Sequence, residues 1–383
     1  MTNDLDTLLI ALYVEIDDHV ALPAQRGRGR PKRLSDAELI CLAMAQVLPG
    51  ARSEHHWLRL CCGRLGHLFP YLPGQPGYHK RLKAAAPLLA AVMDHLARQS
   101  PGWHDPVRLI DTTPVPCGAP RETVRRSELA GWAHYKYCAA HSRWYWGLKL
   151  YLITTPDGMP AAWCLADPKI GEREVAGELL AHAARTGALR PGLTLIGDKG
   201  FAGREFEDLV TTGYSLSMVR PDRRDEAPRH GPIGWIRQWI ESVNDTLKGQ
   251  LDLERHGGRT TEGLYARITQ WLLAMAACIW HNSEVAALEL MTRALVGVTD
   301  MIRLNDMLRL DDEDPIAPVV RQMRYRADVV RGLTGEALEP RDYAALRELW
   351  AGRGPTHDCL RGIRRSPSSD GPVTTFQENS SVR

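Results

Sequence analysis

Apolar residues near the start of the chain recur at helical spacing: Leu5, Leu8, Leu9, Leu12 and Ile16 fall on one helix face. Ser35 and Glu38 stand where a capping box would open the apolar helix Leu39–Val47. Further short helices are predicted over Glu54–Cys61 and Gly77–Arg98, separated by Pro70, Pro73 and Pro76. From residue 106 the pattern changes. Val107–Asp111 is a short apolar run ending in an acid, and Arg143–Thr154 is aromatic and β-branched. The Asp157-Gly158 turn then leads to a hairpin partner, Ala161–Ala166. A helix over Glu172–Thr186, a buried strand Leu193–Gly197 and a helix Arg204–Thr212 follow, then a strand Ser215–Val219 and a helix Trp235–Lys248. This order predicts an α/β fold, a mixed sheet with flanking helices, preceded by a helical N-terminal domain. Beyond about residue 285 the pattern weakens, Asp311–Asp314 reads as a solvated loop, and Arg365–Arg383 has the Ser, Gly, Thr and Pro content of a disordered tail.

Composition adds limits. The chain has 383 residues with 48 Lys+Arg against 46 Asp+Glu, a formal charge of +2, which argues against coating nucleic acid by bulk charge. Forty of the basic residues are Arg, the side chain suited to bidentate phosphate contacts, although an Arg-biased genome gives the same count. Eight cysteines without a C-x-x-C pair read as reduced thiols of a cytoplasmic protein. The acidic N-terminus does not read as a signal peptide, and no apolar run approaches the roughly 20 residues of a membrane helix, so no membrane partner is expected.

Three carboxylates carry the candidate chemistry. Asp111 and Asp198 each end a predicted core strand, where ligands gather in open α/β sheets. On the helix Trp235–Lys248, the residues Arg237, Glu241, Asn244 and Lys248 share one face, beside an apolar stripe of Ile236, Ile240, Val243 and Leu247. An exposed face with a Glu–Lys pair explains each of those residues, but not their coincidence with two strand-end acids. Three converging carboxylates repel one another unless a cation joins them. Hard oxygen donors in that number suit Mg²⁺ or Mn²⁺. Two such ions about 3.5–4 Å apart support in-line phosphoryl displacement, with Lys149, Lys199, Arg237 and Lys248 as phosphate contacts.

These residues resemble the RNase H-like catalytic core of insertion-sequence transposases of the DDE superfamily. Arg237, Glu241 and Lys248 match the Arg, Glu and Lys of the signature Y-x2-R-x3-E-x6-K, with Gly234 at the tyrosine position and Trp235 beside it. Asp198-Lys-Gly-Phe resembles the second-Asp motif, Asp111-Thr-Thr-Pro-Val-Pro the first-Asp strand, and Tyr145-Trp-Gly-Leu-Lys-Leu the strand that follows it. The resemblance covers about residues 105 to 285. It implies hydrolysis of phosphodiesters at the ends of a mobile element, joining to target DNA, and two Mg²⁺ or Mn²⁺ ions held by Asp111, Asp198 and Glu241. The implied partners are double-stranded DNA, as terminal inverted repeats and target, and a second copy in a homodimer assembled on DNA. The expected organisation is a helical domain over 1–100, which reads as a helix-turn-helix-like DNA-binding domain or equally as a plain dimerisation or packing domain, the catalytic domain over 105–285, a helical extension over 286–364 and a disordered tail over 365–383. One rival is a catalytically inactive, sequence-specific DNA-binding protein derived from a transposase; another is a glycosidase using two of the acids, which leaves Arg237 and Lys248 without a role.

Other features admit two readings each. Gly29-Arg30-Pro31, flanked by Arg26, Arg28, Lys32 and Arg33, resembles an AT-hook that enters a narrow minor groove, and a flexible basic linker accounts for the same residues. His55, His56, Cys61, Cys62 and His67 fit no common zinc-finger spacing. Trp144, Tyr145 and Trp146 could stack on an unpaired base, but strand alternation sends Trp144 and Trp146 to one face, which reads as core.

Overall fold

The computed structural model describes residues 5–22, 32–118, 121–138, 142–223, 226, 243, 246, 251 and 255–296. Helix α1 (Leu5–His19) buries Leu8, Leu9, Leu12 and Ile16, the stripe its spacing predicts. In α2 (Asp36–Val47) every residue from Leu39 onwards is buried. The predicted capping box starts it: Ser35 Oγ accepts from the Glu38 amide at 3.0 Å, and the Glu38 carboxylate accepts from the Ser35 amide. Helix α3 (Glu54–Arg64) follows, capped by Ser53. The single helix expected over Gly77–Arg98 is two, α4 (Gln75–Ala84) and α5 (Ala86–Gln99). Pro87 is the reason, because a proline has no N–H to donate and its ring collides with the carbonyl four residues earlier.

The sheet is built around β1 (Val107–Gly118) and β3 (Arg143–Thr154). They pair antiparallel from Leu109↔Thr154 to Gly118↔Trp146. Along its other edge β3 pairs with β2 (His134–Cys138) through its first half and β4 (Pro160–Ala166) through its second. On the far side of β1, β5 (Thr194–Gly197) and β6 (Ser217–Val219) run parallel to it and to each other. Helix α6 (Arg121–Arg126) lies between β1 and β2, α7 (Glu172–Thr186) between β4 and β5, and α8 (Arg204–Asp208) between β5 and β6. Without β2, the order β4-β3-β1-β5-β6 with these directions is the RNase H-like arrangement. Strand β2 and helix α6 were not expected from the sequence. Tyr135 and Tyr137 stay exposed, so the segment lacks the apolar-in, polar-out alternation that marks a strand.

Strand β1 also runs seven residues past the predicted end at Asp111, through Pro114 and Pro116. Prolines two apart lose their N–H groups on the same edge of a strand. Continuous pairing with β3 requires this to be the opposite edge, where the last β5 partner is at Ile110↔Gly197. Gly147 makes the close pairing possible, because a Cβ there would stand 2.0 Å from the Val115 carbonyl oxygen. The obstacle is backbone, which cannot rotate away. Gly147→Ala is therefore expected to lower the unfolding free energy by at least about 1–3 kcal/mol, the usual cost of overpacking, measured by urea melts; an unchanged midpoint would show that the two strands can separate there at no cost.

Helix α9 (Thr261–Val296) joins the N-terminal helices to the sheet. Its Arg267 guanidinium donates to Glu54 at 2.7 Å, and its Gln270 amide donates to the Ala43 carbonyl at 2.6 Å. Trp163 of β4 packs against Tyr265, ring centroids 5.8 Å apart. Described residues up to Trp280 form one compact unit, and from His281 the chain enters a second, of which only the end of α9 is described. The segment 311–314 and the tail over 365–383 lie outside the described residues, as does the 286–364 extension beyond Val296. No helix among the described residues is long and apolar enough to cross a membrane.

Candidate active site

The parallel ladder between β1 and β5 ends at Ile110↔Gly197, and the next residue on each strand is an aspartate. Asp198 keeps an extended backbone, φ −76° and ψ 164°, and so continues the direction of β5 for one residue beyond the last paired position. Neighbouring strands run about 4.8 Å apart, close enough for two carboxylates to share a ligand. Asp198 is exposed and Asp111 half-buried, and both stand at the carboxyl end of the parallel strands. Gly197 permits the tight turn into the Lys199–Phe201 3-10 helix, since a Cβ there would press on Phe201 at 2.9 Å and Ile110 at 3.0 Å.

Glu241, Arg237, Asn244 and Lys248 lie outside the described residues. Of the apolar stripe beside them only Val243 is described, and it is buried, as is Thr246. Among the described residues no group of three or more His, Cys, Asp or Glu stands together as a metal site.

The basic residues fall into two sets. Lys199 is exposed immediately after Asp198. Lys149 instead donates to the Glu172 carboxylate at 2.5 Å. At the end of the basic segment, Lys32 pairs with Asp36 at 2.5 Å and the Arg33 guanidinium lies over the Tyr71 ring, 4.1 Å from its centroid. Arg28 and Arg30 lie outside the described residues. Of the other tempting cluster, Cys61 is buried, Cys62 is exposed, and His67 pairs with Asp6 at 2.6 Å.

Glu172, which the sequence did not single out, contacts residues that adjoin the two aspartates in the chain. It opens α7, where an acid reads simply as a complement to the helix dipole. In the fold its Oε1 also accepts from Thr112, the residue after Asp111, at 2.6 Å. Its Oε2 lies where a Cβ on Gly200 would come to 3.0 Å, so a side chain two residues after Asp198 would press on this carboxylate. Burial pushes this carboxyl up, but the Lys149 charge and the hydrogen bonds from Lys149 and Thr112 outweigh it and hold the pKa below the ordinary glutamate value. Glu172 thus links the first-Asp strand, the Lys149 strand and the second-Asp turn. Only tertiary pairing reveals this, because the four segments are far apart in sequence.

At the distal end of β1, His256 Nε2 lies 2.9 Å from the Pro116 carbonyl, and its Nδ1 accepts from the Gly258 amide at 3.0 Å. These partners fix the neutral tautomer with the proton on Nε2. Burial drives the imidazole pKa down to about 4 from 6.5. A depressed folded-state value means that acid favours the unfolded chain: the contribution is intact above 6.5 and is lost as the pH falls towards 4. Between pH 6.5 and 5 it should cost about 2 kcal/mol, at roughly 1.4 kcal/mol per pH unit. Urea melts of wild type and His256→Asn at both pH values test this, and equal acid losses in the two would show that another group carries the dependence.

Residues 102–278, which include the six strands found among the described residues and α7, match the family model described as the Transposase DDE domain. By that match, and by the sheet order described above, residues 102–278 are similar to the DDE domain of transposases.

Proposed function

We propose that the protein cuts phosphodiester bonds at the ends of a mobile element and joins the freed ends to target DNA, with Asp111, Asp198 and Glu241 as its catalytic carboxylates. The observation that supports this reading is the parallel ladder ending at Ile110↔Gly197, with Asp111 and Asp198 as the next residue after each. Two carboxylates at one strand spacing repel each other and supply only hard oxygen donors, a set that fits Mg²⁺ or Mn²⁺. Asp111, Asp198 and Glu241 would hold two such ions, which when bound activate the attacking oxygen and stabilise the leaving one.

The remaining roles belong to the chain itself. Lys199, exposed beside Asp198, meets the phosphates flanking the cut, together with Arg237 and Lys248. Lys149 is held by Glu172 and contributes its charge from a fixed position. The helices over 1–100, with the basic segment containing Arg28, Arg30, Lys32 and Arg33, form the DNA-binding domain; residues 105–285 form the catalytic domain, and 286–364 an extension. The substrate is double-stranded DNA, as terminal inverted repeats and target, engaged by a homodimer assembled on it. The work is cytoplasmic, where the described cysteines, all free thiols, stay reduced.

The test is cleavage and strand transfer on DNA bearing the inverted repeats that flank this reading frame, with and without Mg²⁺. Wild type should act only with metal, and Glu241→Gln should lose activity while still binding the same DNA. Binding without any metal-dependent cleavage by wild type would instead identify a DNA-binding protein that has lost catalysis.

A further inference from the structure

A cleft that the candidate active site does not use opens where the turn between α2 and α3, the segment around His256 and helix α9 meet. Its lining lies wholly in the compact unit that ends at Trp280. Among the described residues, Arg52, Arg255 and Arg267 line it and no acid does. In a chain whose formal charge totals +2, three guanidiniums around one cleft concentrate positive charge.

The three arginines divide into a fixed one and two at the rim. The Arg267 side chain is only 14% exposed and donates to Glu54 at 2.7 Å and to Gln270 at 3.1 Å. Gln270 is itself held, donating to the Ala43 carbonyl and to Gln46. A guanidinium fixed from behind in this way loses little freedom when a ligand arrives. Glu54 offsets its charge, so the net attraction comes from Arg52 and Arg255, which are both exposed. A guanidinium carries five N–H donors, so each can meet a ligand and keep the contacts it makes within the protein. His256 adds no charge to the wall: its two ring nitrogens are taken by the Pro116 carbonyl and the Gly258 amide, and its imidazole is neutral.

Size and chemistry select the ligand. The cleft holds about 30 Å³, close to the share of one water molecule in the liquid, so a base or any other ring is too large for it. Guanidiniums pair bidentately with the oxygens of phosphates and carboxylates. A phosphodiester offers two non-bridging oxygens and keeps its two ester bonds outside, which suits a small cleft with an exposed rim. The similarity of residues 102–278 to a transposase domain, a stretch that includes Arg255 and Arg267, favours the phosphate. We infer that Arg52, Arg255 and Arg267 hold one backbone phosphate of double-stranded DNA in this cleft. This rests on the reading of a protein that acts on DNA, but not on the assignment of its catalytic carboxylates.

The experiment measures anisotropy of short fluorescein-labelled duplexes of two unrelated sequences with the full chain in EDTA, between about 50 and 200 mM salt. Arg52→Ala/Arg255→Ala should weaken both duplexes alike by about tenfold, the worth of one charged hydrogen-bonded contact. It should also flatten the slope of log affinity against log salt by about 0.9, the share of one phosphate. Arg52→Lys/Arg255→Lys, which keeps the charges and loses the planar forks, should keep the wild-type slope. Arg185→Ala, at an exposed position in the last turn of α7, should change neither affinity nor slope. The substituted side chains are exposed, and circular dichroism confirms folding of each variant. Unchanged affinity and slope in the double alanine variant would overturn the inference. So would an equal change per charge in Arg185→Ala, which would make the effect one of overall charge. A site for free phosphate would raise the wild-type melting temperature in inorganic phosphate over chloride at equal ionic strength, with no such rise in the double alanine variant and unchanged duplex binding; that result would also overturn it. Wild type that binds neither duplex would defeat the DNA reading together with the inference, whereas the other failures leave the metal-dependent cleavage test above standing on its own.

Discussion

Asp198→Asn is expected to reduce metal-dependent cleavage of element-end DNA by at least about 10³-fold, the upper end of what loss of a single electrostatic stabiliser costs. The substitution keeps the size of the side chain and its exposed place before the Lys199–Phe201 turn, but removes one of two negative charges standing at one strand spacing. Binding to the same DNA without metal should stay level or rise slightly, because an acid has been taken away from a surface that meets phosphates. Single-turnover cleavage and anisotropy, measured on the same preparation, separate the two effects. Wild-type rates in Asp198→Asn would remove Asp198 from the site. A parallel fall in binding would show that the residue acts on DNA recognition instead of on the reacting phosphate.

The largest stability effect is expected at Glu54, in the seam between the N-terminal helices and α9. Its carboxylate is buried and meets three partners: Gln75 Nε2 at 2.8 Å, His79 Nδ1 at 2.9 Å and Arg267 at 2.7 Å. Beside it, Tyr78 donates to Gln46 at 2.9 Å, and Gln270 reaches both Gln46 and the Ala43 carbonyl. Removing Glu54 leaves the Arg267 guanidinium, itself only 14% exposed, without its carboxylate. Breaking a buried pair from one side costs about 3–5 kcal/mol. Urea melts of Glu54→Ala should show this loss. The double variant Glu54→Ala/Arg267→Met should recover part of it, since the uncompensated charge is gone. A loss below about 1 kcal/mol, the range of exposed pairs, would mean that water reaches the seam and that the helices and α9 are only loosely joined.

This seam also shows how the N-terminal helices are anchored. Their sequence allows a free DNA-binding module or a packing domain. The structure ties α2, α3 and α4 to α9 through Glu54, Gln46, Ala43 and a Lys83–Glu262 ion pair at 2.8 Å. These helices are therefore mechanically connected to the unit that carries Asp111 and Asp198.

Local chemistry alone was enough to read several elements. The Ser35–Glu38 box, the stripe Leu8–Ile16, the strand Arg143–Thr154 and the helix Glu172–Thr186 each depend on neighbours within a few positions. The motif residues around Asp111 and Asp198 were legible for the same reason: each ends a short apolar run, a pattern contained in five or six consecutive residues. Other outcomes depended on contacts between distant segments. The Pro114 and Pro116 positions belong to a strand only because β5 stops at Gly197 and leaves that edge of β1 without a partner among the described strands. Gly147 is explained by the Val115 carbonyl, which no sequence window around it contains. Trp144 and Trp146 share a strand, a face and a residue type, yet one is 68% exposed and the other 3%, since burial is set by which strands end beside them. The sequence by itself determined which acids end the strands and which faces are apolar. Only the tertiary structure decided that two of those acids follow the ends of one parallel ladder and that Glu172 ties Thr112 to Lys149, because register and strand length are set by pairing across the sheet and not by the residues of any one strand.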